Sequence, residues 1–274
     1  MMLLLDIKLK LSIMKSLKNL IVILLCLPLL TVNAKTKNNQ FKRSDAGIRV
    51  GAAFGIPAGA IPDGASGLPM PAVSLGMFYS LKFTPKWSIQ IGAETYSMKA
   101  KFNTPYSQFE YIGNVEKYIN GNVNSTRVDT IFLDKATVEN GMFNNKYLAI
   151  PITANYHFRK GWSVSLGTYV AYNFKKEMTG TAKDIYFGDR YNPEYSLKVT
   201  GTMPFNESDK IKNWDYGINV GGNYELKSGI NFDMRINAGL TDFFVKEFTA
   251  PPSAYHNIVI QTTIGYRIGG TRRI

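Results

Sequence analysis

The stretch DYGINVGGNYELKSGINFDMRINAGLT, residues 215–241, alternates apolar and polar side chains along two consecutive segments. A period of two places neighbouring side chains on opposite faces of a β-strand. The apolar rows are Tyr216, Ile218, Val220, Gly222, Tyr224 and Leu226, then Ile230, Phe232, Met234, Ile236, Ala238 and Leu240. Lys227-Ser228-Gly229 joins the segments as a three-residue loop with glycine where a positive φ is needed. The pattern predicts a β-hairpin with one continuous apolar face.

The opposite face of this hairpin distinguishes a membrane barrel from a soluble one. A soluble ligand-binding barrel turns its apolar row inward and leaves mixed polar residues outside. Here the polar row carries Asp215, Glu225, Asp233 and Arg235. A one-residue slip of register would place these charges in lipid, which costs about 2–4 kcal/mol for a basic residue near the midplane. The sequence therefore predicts that the apolar row faces lipid and the polar row faces the lumen of a transmembrane barrel.

The N-terminus has the features of a secretory signal peptide. A basic segment at 14–18 precedes the apolar residues 20–30, and Val32-Asn33-Ala34 supplies a small-residue cleavage site. The apolar part is shorter than the ~20 residues of a transmembrane helix. We expect residues 1–34 to be removed, with 1–13 an extension ahead of the true start. Cys26, the only cysteine, lies in this segment, so the mature chain is predicted to lack thiols, disulfides and a lipid anchor.

Two further short turns repeat the pattern of the first hairpin, and both are flanked by aromatic pairs. Residues 84–86 and 159–161 are the turn segments. The predicted interfacial aromatic girdle is Phe83, Trp87, Phe158, Trp162, Tyr224 and Tyr266. Working outward from three short turns gives an all-β fold: an eight-stranded antiparallel up-and-down transmembrane β-barrel of the smallest size class, after a cleaved signal peptide.

This topology predicts which segments lie on each side of the outer membrane of a Gram-negative bacterium. Both termini are expected in the periplasm, with an N-terminal arm at 35–46, the barrel at 47–268 and a short tail at 269–274. The long external loops are predicted at 56–71, 103–145, 176–214 and 244–256. Within them, residues 130–133 and 195–200 are candidates to extend the strands above the membrane.

The inward row predicts a polar network in the lumen. Its charged members are Arg49, Glu94, Asp215, Glu225, Asp233, Arg235 and Arg267. Eight strands leave an interior that side chains can fill, and buried charges of both signs are expected to pair. We therefore predict a filled, closed barrel. A path for ions or small solutes along the same residues, as in a porin-like channel, is the alternative.

Composition and histidine placement argue against two other classes of function. The formal charge is +12, and loss of residues 1–34 with four lysines and Asp6 leaves +9. No basic run is interleaved with aromatic residues, so we expect lipids and lipopolysaccharide rather than nucleic acid as the anionic partners. His157 is predicted inward near a short turn and His256 at the opposite end, which removes a histidine-based metal site. No cofactor is predicted.

A third hypothesis is an enzyme at the outer rim. His256, Asp242 and Ser253 are near one another in the sequence and could form an acyl-transfer or protease site. A solvated loop histidine is the simpler interpretation.

Residues 215–225, followed by Asp233, Arg235 and Gly239-Leu240-Thr241, resemble the outer-membrane β-barrel family of Bacteroidota typified by the PorT protein. Residues 92–97 with Lys99, and Tyr147-Leu148-Ala149-Ile150-Pro151, agree with the same family. The resemblance extends from Gly47 to Ile268 and implies the barrel fold. It also implies passage through the barrel-assembly machinery and a non-enzymatic role, either in type IX-like protein secretion or in binding a partner through the external loops.

Two positions depart from the family pattern, and a third is unusual for a strand. The family often has an acidic residue at Ala149 and a proline at Ala93, so the charge balance of this lumen is expected to differ. Pro151 removes a ladder donor from an interior strand. Because the family tolerates proline there, a β-bulge is expected at that point.

Overall fold

The computed structural model describes residues 44–119, 122–189, 192–199, 202–248 and 253–268, without the side chains of 106–135 and 186–201. Within these ranges the chain forms twelve β-strands and one short 3₁₀ helix, Ser208–Lys210. The strands are β1 Ser44–Ala58, β2 Ser66–Met70, β3 Ala72–Lys82, β4 Trp87–Ile119, β5 Asn122–Arg159, β6 Trp162–Lys175, β7 Met178–Asp189, β8 Asn192–Val199, β9 Met203–Asn206, β10 Trp214–Glu225, β11 Ile230–Gly239 and β12 His256–Ile268. In these ranges no helix is long and apolar enough to cross a membrane. The predicted signal peptide and the tail 269–274 lie outside the described residues.

Eight of the described strands close into a barrel. Each is paired antiparallel to its neighbour in the order β1, β3, β4, β5, β6, β10, β11, β12, and β12 returns to β1. Closure leaves no free sheet edge within the ring, which is the requirement for strands that cross a membrane. The predicted eight-stranded up-and-down barrel is confirmed.

The hairpin of β10 and β11 has its apolar row on the outside of the barrel and its polar row inside, as its sequence predicts. Tyr216, Ile218 and Val220 are about half exposed on the outer face, whereas Asn219 and Arg235 are buried inside. Gly229 adopts φ +91° in the turn and Gly161 adopts φ +78° in the turn between β5 and β6. Only glycine takes this left-handed conformation at little cost.

The predicted loops 103–145 and 176–214 are mostly strand, which corrects the sequence interpretation. β4 and β5 continue past the ring as one long hairpin, with Phe109 opposite Leu133 and Val115 opposite Arg127. β2 adds to the β4 side, β7 to the β5 side, and β8 and β9 both pair with β7. Residues 130–133 and 195–199 are therefore in strands, as expected; Thr200, the last residue of the second candidate, lies outside the described residues. The loop predicted at 56–71 contains the end of β1 and the whole of β2.

The two faces of β4 exchange character part-way along the strand. From Trp87 to Ala93 the outward row is apolar or aromatic, and the inward row includes the buried Ser88 and Glu94. From Tyr96 onward the buried inward row is Tyr96, Met98 and Ala100, and the outward row is Ser97, Lys99 and Lys101. Side chains of β4 keep alternating between the inner and outer faces throughout, so the exchange reflects a change in what each face contacts. The exchange marks the end of the lipid-facing band.

Two details near the barrel ends differ from expectation. Pro151 lies in β5 without a bulge, because Ile91 pairs with Ile152 and Glu94 with Ala149 in one continuous register. The ladder loses the bonds at the proline, and Gly92 lies beside its ring. β1 begins at Ser44, so its first residues belong to the segment assigned to the N-terminal arm.

Candidate functional site

Four charged side chains, each no more than 10% exposed, meet inside the barrel, nearer to its short-turn end. Arg235 Nη1 lies 3.2 Å from Glu94 Oε2, and Arg235 Nη2 lies 3.1 Å from Asp233 Oδ1. Arg49 Nη1 is 3.5 Å from the same Asp233 oxygen, and its guanidinium lies 4.7 Å from the centre of the Phe78 ring. β1, β4 and β11 supply these groups from different sides of the ring. We call them the ion layer.

A second group of charges lies below the ion layer, beside the short turns. Arg267 Nη1 donates to both carboxylate oxygens of Asp45 at 2.9 Å, and Arg267 Nε lies 3.3 Å from Glu225 Oε2. Lys82 Nζ lies 2.7 Å from Asp45. The sequence interpretation omitted Asp45 and Lys82: it assigns Asp45 to the N-terminal arm and gives Lys82 no role in the lumen. Asp45 lies four residues before Arg49, so the period of two places it on the same inward face. That spacing could have identified it from the sequence.

Asp215 is separate from these ion pairs, although it belongs to the same predicted network. Its carboxylate accepts hydrogen bonds from Tyr169 Oη at 2.9 Å, Thr241 Oγ1 at 2.7 Å and Asn257 Nδ2 at 3.0 Å. Asn257 Nδ2 also reaches Tyr147 Oη at 3.3 Å. Asp215 is buried, and these neutral donors surround it where the polar interior of the barrel gives way to the apolar interior of the long-loop end.

Apolar side chains fill the interior at the long-loop end, where the sequence interpretation placed only polar ones. Phe243, Phe244 and Phe248 are buried and pack in series, with ring centres 4.8 and 5.0 Å apart. We call this packed apolar group the plug. Its other members are Met98, Phe143, Tyr147, Met178, Ile211 and Val259. The segment predicted as the external loop 244–256 therefore starts by entering the barrel mouth. A bridge between Ile211 and Phe244 holds it there.

The three candidate groups of a rim enzyme do not form a triad. His256 Nδ1 lies 3.0 Å from the carbonyl oxygen of Thr241. Asp242 Oδ1 accepts from the backbone amides of Phe244 and Tyr255, and Ser253 Oγ accepts from the amide of Ala60. Each group thus has a local structural bond. In the described part of the chain, no cluster of His, Cys, Asp and Glu has the make-up of a metal site.

Aromatic side chains surround the short-turn end. Phe83, Trp87, Phe158, Trp162 and Tyr266 are all about half exposed or more, and Tyr224 packs against Trp162 with ring centres 4.7 Å apart. A second set, which the sequence interpretation missed, pairs Tyr172 with Trp214 at 4.9 Å. From Trp162 to Tyr172 the strand rises roughly 25 Å at ~3.3 Å per residue and ~40° tilt, the height of a lipid-facing band.

Two carboxylates at the long-loop end have opposite pKa shifts. Lys175 and the Asn144 amide donate to Glu177, at 3.0 and 2.8 Å, and lower its pKa. Burial raises the pKa of Glu207, which lies just before the 3₁₀ helix. Both groups lie at the mouth and not in the ion layer.

The family of the chain follows from its sequence as well as from the closed ring. The sequence model of the family described as outer membrane protein beta-barrel domain matches residues 38–245, more than half of the chain. The chain belongs to this family. Membership agrees with the apolar outer band and indicates an outer-membrane location. A comparison with curated proteins finds no match.

Among solved structures, similar chains are outer-membrane proteins of low identity. The attachment invasion locus protein Ail of Yersinia pestis is 9% identical, with 84% of this chain and 100% of that chain covered and a TM-score of 0.37. OprG of Pseudomonas aeruginosa is 13% identical, with 85% and 100% covered and a TM-score of 0.33. Neisserial surface protein A is 8% identical, with 82% and 99% covered and a TM-score of 0.35.

Proposed function

We propose that this outer-membrane barrel is a closed, non-enzymatic protein that binds a partner protein through the long sheet outside its ring. The short turns and both termini then lie in the periplasm, and the sheet lies outside the cell. The observation that carries the proposal is that the lumen is filled while a large sheet extends beyond the membrane. The ion layer and the aromatic plug occupy the interior, while β4 and β5 extend far beyond the membrane band.

The external sheet offers an edge that suits strand addition. β2 pairs with β4 over Lys99–Met70 to Asn103–Ser66. Beyond Asn103, in the part of the chain that the structure describes, no strand other than β5 pairs with β4. Unpaired backbone N–H and C=O groups on such an edge are a template for a strand of another chain. The resemblance to PorT-type proteins supports a partner in protein secretion.

Shortening the hairpin tests partner binding without disturbing the ring. Residues 110–132 are replaced by Asn-Gly, which leaves the pair Phe109 and Leu133 and the whole pairing of β5 with β7 in place. We expect the variant to keep the heat-modifiable gel migration of a folded barrel and to lose chemical cross-linking to its partner in intact cells. Equal cross-linking by the variant contradicts the proposal.

The secretory role has its own test. Deletion of the gene is expected to reduce the amount of exported protein in the culture medium. Full-length protein is expected to restore it, and the variant with the shortened hairpin is not. Normal secretion after deletion contradicts a PorT-like role and leaves partner binding to be judged by the cross-linking.

A small-solute channel is the second candidate, and the packing of the interior opposes it. Passage requires both the ion layer and the plug to move, and these occupy different heights of the lumen. We expect no defined conductance steps from the purified mature protein in planar bilayers. Regular steps from wild-type protein would contradict the closed barrel.

A further inference from the structure

A cavity of about 230 Å³ lies at the long-loop end, between the segment that joins β1 to β2 and the wall formed by β4. Its apolar lining includes Ile56, Ile61, Phe102, Phe143, Met178 and Phe244. None of the described residues that line it carries a charge. The cavity is therefore a poor site for ions or sugars.

Hydrogen bonds hold the cover of this cavity in place. Tyr255 Oη donates to the carbonyl oxygen of Ala60 at 2.5 Å, and the Ala60 amide donates to Ser253 Oγ at 2.9 Å. The amide of Ala65 closes a turn onto Pro62 O at 2.9 Å. The two bonds at Ala60 tie the start of the segment 60–65 to residues 253–255, and the turn from Pro62 to Ala65 shapes the rest of it. The cover is thus built by residues from two distant parts of the chain.

Aromatic packing fixes the floor and the wall. Phe102 stacks on Phe143 with ring centres 4.5 Å apart, and Phe244 meets Tyr255 at 5.8 Å. These rings belong to the plug or contact it, so the cavity ends on apolar groups and not on the ion layer. A molecule that enters it has no open route onward through the lumen.

We propose that this cavity binds a small, uncharged, apolar molecule of one or two rings, or a short alkyl chain. An apolar cavity of about 150 Å³ stays dry and accepts benzene. The present cavity is larger and is lined by aromatic and aliphatic carbons, which favour the same chemistry. This proposal does not rest on the proposed partner, although Thr104 lies both in the cavity lining and at the start of the free edge of β4.

The probe for this site is 2-fluoronaphthalene, followed by ¹⁹F NMR with the mature full-length protein in lipid nanodiscs. We expect a bound resonance distinct from that of probe dissolved in lipid. Ala65→Phe places a ring in the cavity and is expected to weaken binding at least tenfold. Asp63→Phe adds the same ring to the same segment at an exposed position outside the lining, and is expected to bind as wild type does.

A complementary variant enlarges the cavity. Phe102→Ala is expected to bind 2-fluoroanthracene at least threefold more tightly than wild type does. All variants are checked for heat-modifiable migration, so that loss of folding is recognised. Absence of a bound resonance with wild type, or equal binding by folded Ala65→Phe, overturns the proposal.

Discussion

Both halves of β4 alternate apolar and polar side chains, but on opposite faces. The lower half, on the short-turn side of Tyr96, has its apolar row outside, and the upper half has it inside. Below Tyr96 the strand has apolar residues outside and polar residues inside, and above it the apolar residues are inside and the lysines outside. β5 does the same, since Tyr147 and Phe143 are buried inside above the point where Ile152 and Ala154 face outward below. A strand places side chains alternately on two faces. What lies on each face is decided by the solvent, which is lipid below and water above.

The largest expected effect lies inside the lower half. Arg235→Met leaves Glu94 without its 3.2 Å partner in a buried site, and an unpaired buried charge is costly. We expect the free energy of unfolding to fall by about 4 kcal/mol. Urea unfolding of the refolded protein in vesicles, followed by tryptophan fluorescence, measures the change.

A matched control uses an ion pair above the membrane. Lys183→Met breaks the pair with Glu139, whose side chains are both about two-fifths exposed, and should cost less than about 1 kcal/mol. Adding Glu94→Gln to Arg235→Met should recover part of the loss. If Arg235→Met and Lys183→Met lower the free energy of unfolding equally, the interior around Arg235 is as hydrated as the exposed site.

The next largest effect lies inside the upper half. Met98 is fully buried among the plug residues, and Met98→Ala removes apolar contacts and leaves a cavity. We expect a loss of about 3 kcal/mol in the same unfolding measurement. Met203→Ala, at an exposed position of β9, should change stability by less than about 0.5 kcal/mol. If the two substitutions cost the same, the upper interior does not have the packing of a protein core.

The smallest of the three effects compares the outer faces of both halves. Ile91→Arg places a charge in the lipid-facing band and is expected to cost about 2 kcal/mol. Ser97→Arg places the same side chain on the same face above the exchange, and should be nearly neutral. The yield of heat-modifiable barrel and its unfolding midpoint give both values. A similar cost at the two positions would move the membrane boundary away from Tyr96.

The sequence predicts some parts of the interior well and others poorly. Alternation in 215–241 is local, so it places Arg235 and Asp233 on the lumen side correctly. Asp45 was missed because β1 begins before the apolar alternation that marks its start. Phe244 and Phe248 belong to the segment predicted as an external loop, since a segment after a strand gives no local sign that it turns back into the mouth. A related limit applies to β4 and β5 beyond the ring, because the outward apolar row that marks a lipid-facing strand ends before the strands do.

By itself, the sequence determined the number of ring strands, the face that meets lipid and the positions of the short turns. These depend on neighbours one to four residues apart, and period-two alternation with turn glycines expresses them directly. The tertiary structure alone decided that Arg235 meets Glu94, that Asp215 lies apart among neutral donors, and that aromatic rings close the mouth. Arg235 and Glu94 are 141 residues apart in sequence, and their contact exists only because the sheet closes on itself.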